Sequence, residues 1–251
     1  MTDGLSQNGT PGQPIPITYE RRRIHYADWC WLEKMDAKAH WQSIYETKGL
    51  EQLSWFQAEA TLSRELIERF APDRNTRILD VGAGASTLVD GLLGAGYRRV
   101  TVLDLSAAAL AHARRRLGPA AAAVDFREAD VLTASLTGEG FAVWHDRAVF
   151  HFLTAPTDRE QYVAQVRRAV KPGGFVLVAT FAEDGPTRCS GLETRRYSAD
   201  ALHSEFGLAF ELIASQREEH VTPSGAVQAF TYCVCQYRPG HDFRMSNRGH
   251  R

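Results

Sequence analysis

The apolar positions of this chain change period along its length. In residues 56–70, FQAEATLSRELIERF, Ala58, Leu62, Leu66 and Phe70 recur every fourth residue, which is the spacing of one helix face; Pro72 ends the run. From residue 76 the period shortens. TRILDV, RRVTVLDL, AVDFREAD, FAVWHDRAVFHFL and GFVLVATF each carry a strand, numbered one to five. Helical stretches lie between them: STLVDGLLGAG, closed by glycine; SAAALAHARRRL, with Ser106 as N-cap and Gly118-Pro119 as the break; and DREQYVAQVRRAV. Such alternation predicts an α/β fold, a doubly wound and mostly parallel sheet covered on both faces. The end of the chain departs from it. LAFELIASQREEHV and AVQAFTYCVCQYR are β-rich and joined by Thr222-Pro223-Ser224-Gly225, which predicts an antiparallel hairpin added to the sheet.

Residues 17–71 precede the first strand and read as an N-terminal helical extension. It is aromatic, with Tyr19, Tyr26, Trp29, Trp31, Trp41, Tyr45, Trp55 and Phe56; Trp41 and Tyr45, four apart, share a helix face. Residues 1–16 and 239–251 are too polar and too rich in Gly, Pro, Asn and Ser to bury a core, and are expected to be a disordered and a flexible tail. That leaves 17–238 as a single domain.

Composition narrows the function. The 251 residues carry a net charge of −1, which argues against a nucleic-acid partner, since that would need a strong basic field. Arg114, Arg115 and Arg116 lie on a predicted helix and read as a solvated face. No stretch approaches the apolar length of a membrane span, so no membrane partner is expected. The N-terminus lacks a signal-peptide pattern, and four cysteines do not suggest a disulfide framework; a cytoplasmic location is expected.

The candidate chemistry begins at RILDVGAGAST, residues 77–87. A glycine turn between strand and helix lets a ligand approach the backbone and aims amides at it. The third glycine position of a dinucleotide fingerprint is Thr87 here. Asp80 ends strand one, where it would repel a pyrophosphate but suits an ammonium. Asp104 ends strand two, where an acid can accept from ribose hydroxyls. Asp130 follows strand three at the same edge. The ligand implied has a ribose, a positive centre and no phosphate, a description that S-adenosyl-L-methionine fits.

These segments resemble a known family. LDVGAGAS (79–86), VTVLDLS (100–106), READVL (127–132), FAVWHDRAVFHFL (141–153) and AVKPGGFVLVAT (169–180) are similar, in order and spacing, to the five motifs of class I, seven-stranded S-adenosylmethionine-dependent methyltransferases. Ser86 stands where many members have a third glycine. The resemblance spans roughly residues 40–238 and implies a strand order 3-2-1-4-5-7-6, with the last strand antiparallel. It also implies roles: Asp80 meets the methionyl amine, Gly82, Ala83 and Gly84 run beside the cofactor, and Asp104 binds the ribose. Leu105 packs on the adenine, while Asp130 and Val131 meet its edge.

HWQSIYETKGLEQLSWFQ (40–57) resembles the opening segment of thiopurine- or tellurite-type methyltransferases and of protein-lysine methyltransferases, where it folds across the cofactor as a lid. Tyr45 would then reach the methionyl carboxylate, and Trp41, Trp55, Phe56 and Arg147 would line the acceptor pocket; the aromatics may alternatively be core. Two catalytic candidates follow from the fourth motif. His151 suits a general base, or is a packed histidine; Asp146 suits an orienting acid, or is a strand-end carboxylate bonded to amides. Asp146-Arg147-Ala148-Val149 is not the Asp/Asn-Pro-Pro-Tyr/Phe of enzymes that methylate base amines. Cys189, His220, Cys233 and Cys235 allow a metal reading, but no metal site is expected because buried free cysteines are ordinary core residues. The expected acceptor is a heteroatom, S, N or O, of a small molecule; a protein lysine is the alternative.

Overall fold

The computed structural model describes residues 26–240, with side chains from residue 37 onward. The expectations for residues 1–16, for Tyr19, for the side chains of Tyr26, Trp29 and Trp31, and for residues 241–251 fall outside that range. The chain divides into two units between Asp36 and Ala37, and the description below concerns the second.

Helix α1 (Tyr26–Thr47) and α2 (Thr61–Phe70) precede β1 (Arg77–Val81). Then follow α3 (Leu88–Gly94), β2 (Arg99–Asp104), α4 (Ala107–Leu117), β3 (Val124–Glu128), β4 (Phe141–Arg147), α5 (Pro156–Ala169) and β5 (Val170–Phe181). A two-stranded ribbon, β6 (Arg188–Cys189) with β7 (Leu192–Glu193), and α6 (Ala199–Phe206) lead to β8 (Phe210–Val221) and β9 (Val227–Tyr237).

The sheet has seven strands in the order β3-β2-β1-β4-β5-β9-β8. With the ribbon set aside, this is the order 3-2-1-4-5-7-6. Pairings from β3 to β5 are parallel, while β9 runs antiparallel to both β5 and β8. Strand alternation divides the core into two layers. Leu79, Val81, Trp144, Val176 and Val178 face α5 and α6 through Tyr162 and Phe206, with Phe210 of β8 in the same layer. Ile78, Val143, Leu177 and Ala179 face the other way, towards Ile67 of α2 and Leu88 and Leu92 of α3.

Local signals hold where they are self-contained. Ser106 caps α4, its Oγ accepting from the Ala109 N–H at 3.2 Å, and Gly118 ends that helix at φ +54°. Helix α2 differs from the fourfold pattern. It starts at Thr61, so Ala58 lies before it and is exposed; Leu66 is buried and Leu62 and Phe70 pack on the core as the pattern predicts, joined by Ser63 and Ile67. Residues 56–60 instead run as open chain along the edge of the sheet.

Candidate active site

The carboxyl ends of β1, β2 and β4 meet at one edge, and the loops leaving them enclose a cavity. Gly82 (φ +58°) and Gly84 (φ +53°) both adopt left-handed backbone that L side chains rarely take. A Cβ on Gly82 would collide with Val149, and one on Gly84 with the Tyr45 hydroxyl, so both positions require glycine. Arg116 of α4 holds the turn from behind. It donates to the carbonyls of Ala85 (2.7 Å) and Ser86 (2.6 Å) and pairs with Asp90. The arginine run is therefore more than a solvated face: Arg116 is a clamp, and Arg114 lies over Phe126.

The cavity is lined by Asp80, Gly82, Ala83, Ser63, His145 and Arg147 on the sheet side, and by Tyr45, Leu50, Leu53, Trp55, Phe56 and Gln57 from the N-terminal segment. Asp80 and His145 are directly opposed on β1 and β4. Asp80 Oδ1 lies 2.7 Å from His145 Nδ1, and His145 Nε2 lies 2.9 Å from Ser63 Oγ. A carboxylate only accepts, so Nδ1 donates to it, and Nε2 shares a hydrogen bond with the Ser63 hydroxyl. The Tyr232 hydroxyl follows at 3.3 Å from Ser63, and Arg147 and Glu218 follow Tyr232 at 3.1 and 3.2 Å. Burial pushes the Tyr232 hydroxyl up to about 12. Arg147 pairs with Glu218 at 3.2 Å, and its guanidinium stands 4.2 Å from the Phe230 ring centre. Asp80 Oδ2 is buried and has no partner.

Asp104 sits beside the cavity, under Tyr45. Its oxygens accept from Gly84 (2.7 Å) and Ser106 (2.8 Å), and burial raises its pKa to about 6 against the opposing pull of those amides. Tyr45 packs by edge contact with Trp55, whose Nε1 donates to its hydroxyl at 3.3 Å. Leu105 is half-buried. Asp130 is half-buried at the same edge, turned to its own loop, where Oδ1 accepts from the Leu132 N–H at 2.9 Å; Val131 is buried in the core. Trp41 stands behind the lining, edge-on to Trp55 and Phe152.

Neither expected catalytic side chain reaches the cavity. Asp146 staples the turn after β4, where Ala148 holds the left-handed region at φ +75°. It accepts from the N–H groups of Val149 (2.8 Å) and Phe150 (3.1 Å) and from the Tyr162 hydroxyl (2.5 Å), with burial raising its pKa to about 6. His151 is fully buried between Phe152 and Phe181, and its Nδ1 accepts from the Phe181 N–H at 3.3 Å. Burial, then the Arg147 charge, lowers its pKa to about 3, so it is a neutral core ring. His145 and Ser63 are what the sequence reading missed. Strand alternation from Arg147 and the pairing of β1 with β4 carry the signal for His145. Nothing local marks Ser63.

Cys233 donates to the Ala199 carbonyl at 3.4 Å, His220 Nε2 lies 2.7 Å from the Ser54 carbonyl, and burial pushes the Cys233 and Cys235 thiols up to about 12. Among the described residues no three His, Cys, Asp or Glu side chains converge as metal ligands, and no helix is long and apolar enough to cross a membrane.

Residues 78–174 match the family described as a methyltransferase domain. Those residues form a methyltransferase domain, and its sheet has the strand order expected of the class I S-adenosylmethionine-dependent enzymes. The chain is 20% identical over 216 residues to the eEF1A lysine and N-terminal methyltransferase of Danio rerio, matching 85% of this chain and 30% of that one. It is 30% identical over 161 residues to the ubiquinone biosynthesis O-methyltransferase of Aromatoleum aromaticum, matching 61% of this chain and 63% of that one. It thus spans under two thirds of either relative. In fold it is similar to the 1,6-didemethyltoxoflavin N1-methyltransferase of Burkholderia thailandensis with bound S-adenosylhomocysteine, at a TM-score of 0.59 and 18% identity, covering 84% of this chain and 90% of that one.

The residues fit the cofactor best at its amino-acid end. Asp80 Oδ2, a buried carboxylate oxygen without a partner on the cavity wall, matches an ammonium. At the nucleoside end Asp104 keeps lone pairs for hydroxyl donors while its amides hold it in place.

Proposed function

We propose that this methyltransferase acts on a heteroatom of a small, largely apolar acceptor held between the N-terminal aromatics and the end of β4. The observation that carries this reading is the lining of the cavity. Leu50, Leu53, Trp55 and Phe56 supply one wall, and the Arg147 charge on the other is already answered by Glu218. Such a surface favours a flat or apolar molecule and leaves no uncommitted cation for an anionic one.

S-adenosylmethionine supplies a methyl group on a sulfonium centre. Asp80 takes its ammonium, Gly82, Ala83 and Gly84 let the backbone lie alongside it, and Asp104 accepts from the ribose. Leu105, Asp130 and Val131 border the adenine. Tyr45 closes over the glycine turn, Trp55 and Phe56 exclude water, Trp41 backs Trp55, and Arg147 borders the acceptor. The protein's contribution is alignment and dryness around an in-line transfer.

A protein-lysine acceptor is the second reading, favoured by the lysine and N-terminal methyltransferase among the relatives. An ammonium-bearing side chain needs free acceptors, and Glu218 is held by Arg147, Tyr232 and Gln57. The test is production of S-adenosylhomocysteine by the full chain with aromatic thiols, amines and phenols against lysine peptides. Turnover of small molecules, with KM raised about tenfold or more by Trp55→Ala, is the expected result. Turnover of peptides alone would replace this reading by the second.

A further inference from the structure

We infer that His145 is a positioning residue for the cofactor: its Nδ1–H holds Asp80 through Oδ1 and so leaves Oδ2 for the ligand, and Ser63 holds the ring. This rests on the reading that Asp80 takes the ammonium. The geometry is a chain of three side chains. Ser63 Oγ meets Nε2, Nδ1 donates to Oδ1, and Oδ2 of this cavity-lining residue is left with nothing to accept from. All three side chains are at most 3% exposed, so water does not replace any of these bonds.

Two ligands and two substitutions test it at one pH. S-adenosylhomocysteine carries the ammonium; 5′-methylthioadenosine keeps the nucleoside and the thioether and lacks the amino-acid end. In His145→Asn the side-chain amide donates to Asp80 from nearly the place of Nδ1, whereas His145→Leu has no donor. Calorimetry of both ligands reads the ratio of their affinities in each protein. That ratio is expected to fall about tenfold in His145→Leu and to return to within about threefold of wild type in His145→Asn. An unchanged ratio in folded His145→Leu, or an equal fall in both variants, overturns the inference about His145. A ratio near one in wild type overturns the reading of Asp80 instead. Circular dichroism confirms that the variants are folded, and Ser63→Ala, which removes the support of the ring without touching Asp80, is expected to lower the ratio severalfold.

Discussion

Two acid and histidine pairs meet at the end of β4, Asp80 of β1 with His145 and Asp146 with His151, and they serve opposite ends. Asp80 with His145 faces the cavity; Asp146 and His151 are spent on the fold. Residue type does not separate them. Direction does: on β4, Val143, His145 and Arg147 point to the face that β1 shares through Ile78 and Asp80, while Trp144 and Asp146 point to the other. Satisfaction separates the two acids, though not the histidines. Both oxygens of Asp146 are engaged, whereas one oxygen of Asp80 is not; Nε2 of His151 also lacks a partner, but it lies in the core away from the cavity lining. A buried polar atom without a partner is costly, and its persistence beside a cavity marks where a ligand belongs.

The strongest way to break this comparison is to neutralise each acid. Asp80→Asn is expected to lower S-adenosylmethionine affinity by about 10- to 100-fold at unchanged stability, by removing a charge-assisted bond. Asp146→Asn is expected to leave that affinity within about threefold and to lower unfolding free energy by about 1–3 kcal/mol, through the lost Tyr162 bond and a loosened turn at Ala148. Calorimetry and urea denaturation of both variants decide it, and reversed outcomes would exchange the two roles.

The second test concerns His151. Its folded pKa is depressed to about 3, so the unfolded chain binds the extra proton first as pH falls. Its contribution to stability is therefore full above the unfolded value of about 6.5 and is lost progressively down to about pH 3. His151→Phe removes that slope. The stability of wild type relative to the variant should decline by about 1.4 kcal/mol per pH unit between pH 6 and pH 4, measured by urea denaturation. Asp104 and Asp146 act with the opposite sign, since their raised pKa values favour the folded state as pH falls through about 6, and they cancel in the difference. With an assigned acceptor, kcat of His151→Phe should stay within about tenfold; a loss of about 10²–10⁴ with a flattened acid limb would make His151 the base after all.

The smallest effect is expected at Arg116, which is partly exposed. Arg116→Met should cost about 0.5–1.5 kcal/mol of stability and weaken cofactor binding only severalfold, because Gly82 and Gly84 still set the turn. An effect as large as that of Asp80→Asn would show that the clamp, rather than the carboxylate, organises the site.

Much of this protein is determined by its sequence alone. The alternation of strands and helices, the cap at Ser106 and the break at Gly118 follow from local spacing, because they depend on neighbours a few residues away; the order of the sheet came from the resemblance of five motifs in series to a known family. The positions of the acids at the ends of strands one and two were legible for the same local reason, whereas Trp55 and Phe56, which border the cavity, were singled out through the resemblance of their segment. Tertiary structure decided the rest. The ribbon β6–β7 and helix α6 carry weak local patterns, and α2 is shorter than its pattern, with Ser63 and Ile67 joining its buried face, because the sheet selects which face it buries. Asp146 and His151 read as chemistry only while their partners, the Val149 and Phe150 amides, Tyr162 and the Phe181 N–H, stay out of sight. Ser63, 82 residues from His145 in sequence, joins the site only when α2 packs on the sheet. Whether a buried carboxylate is spent or free depends on every hydrogen-bond donor around it, and those donors come from parts of the chain that only folding brings together.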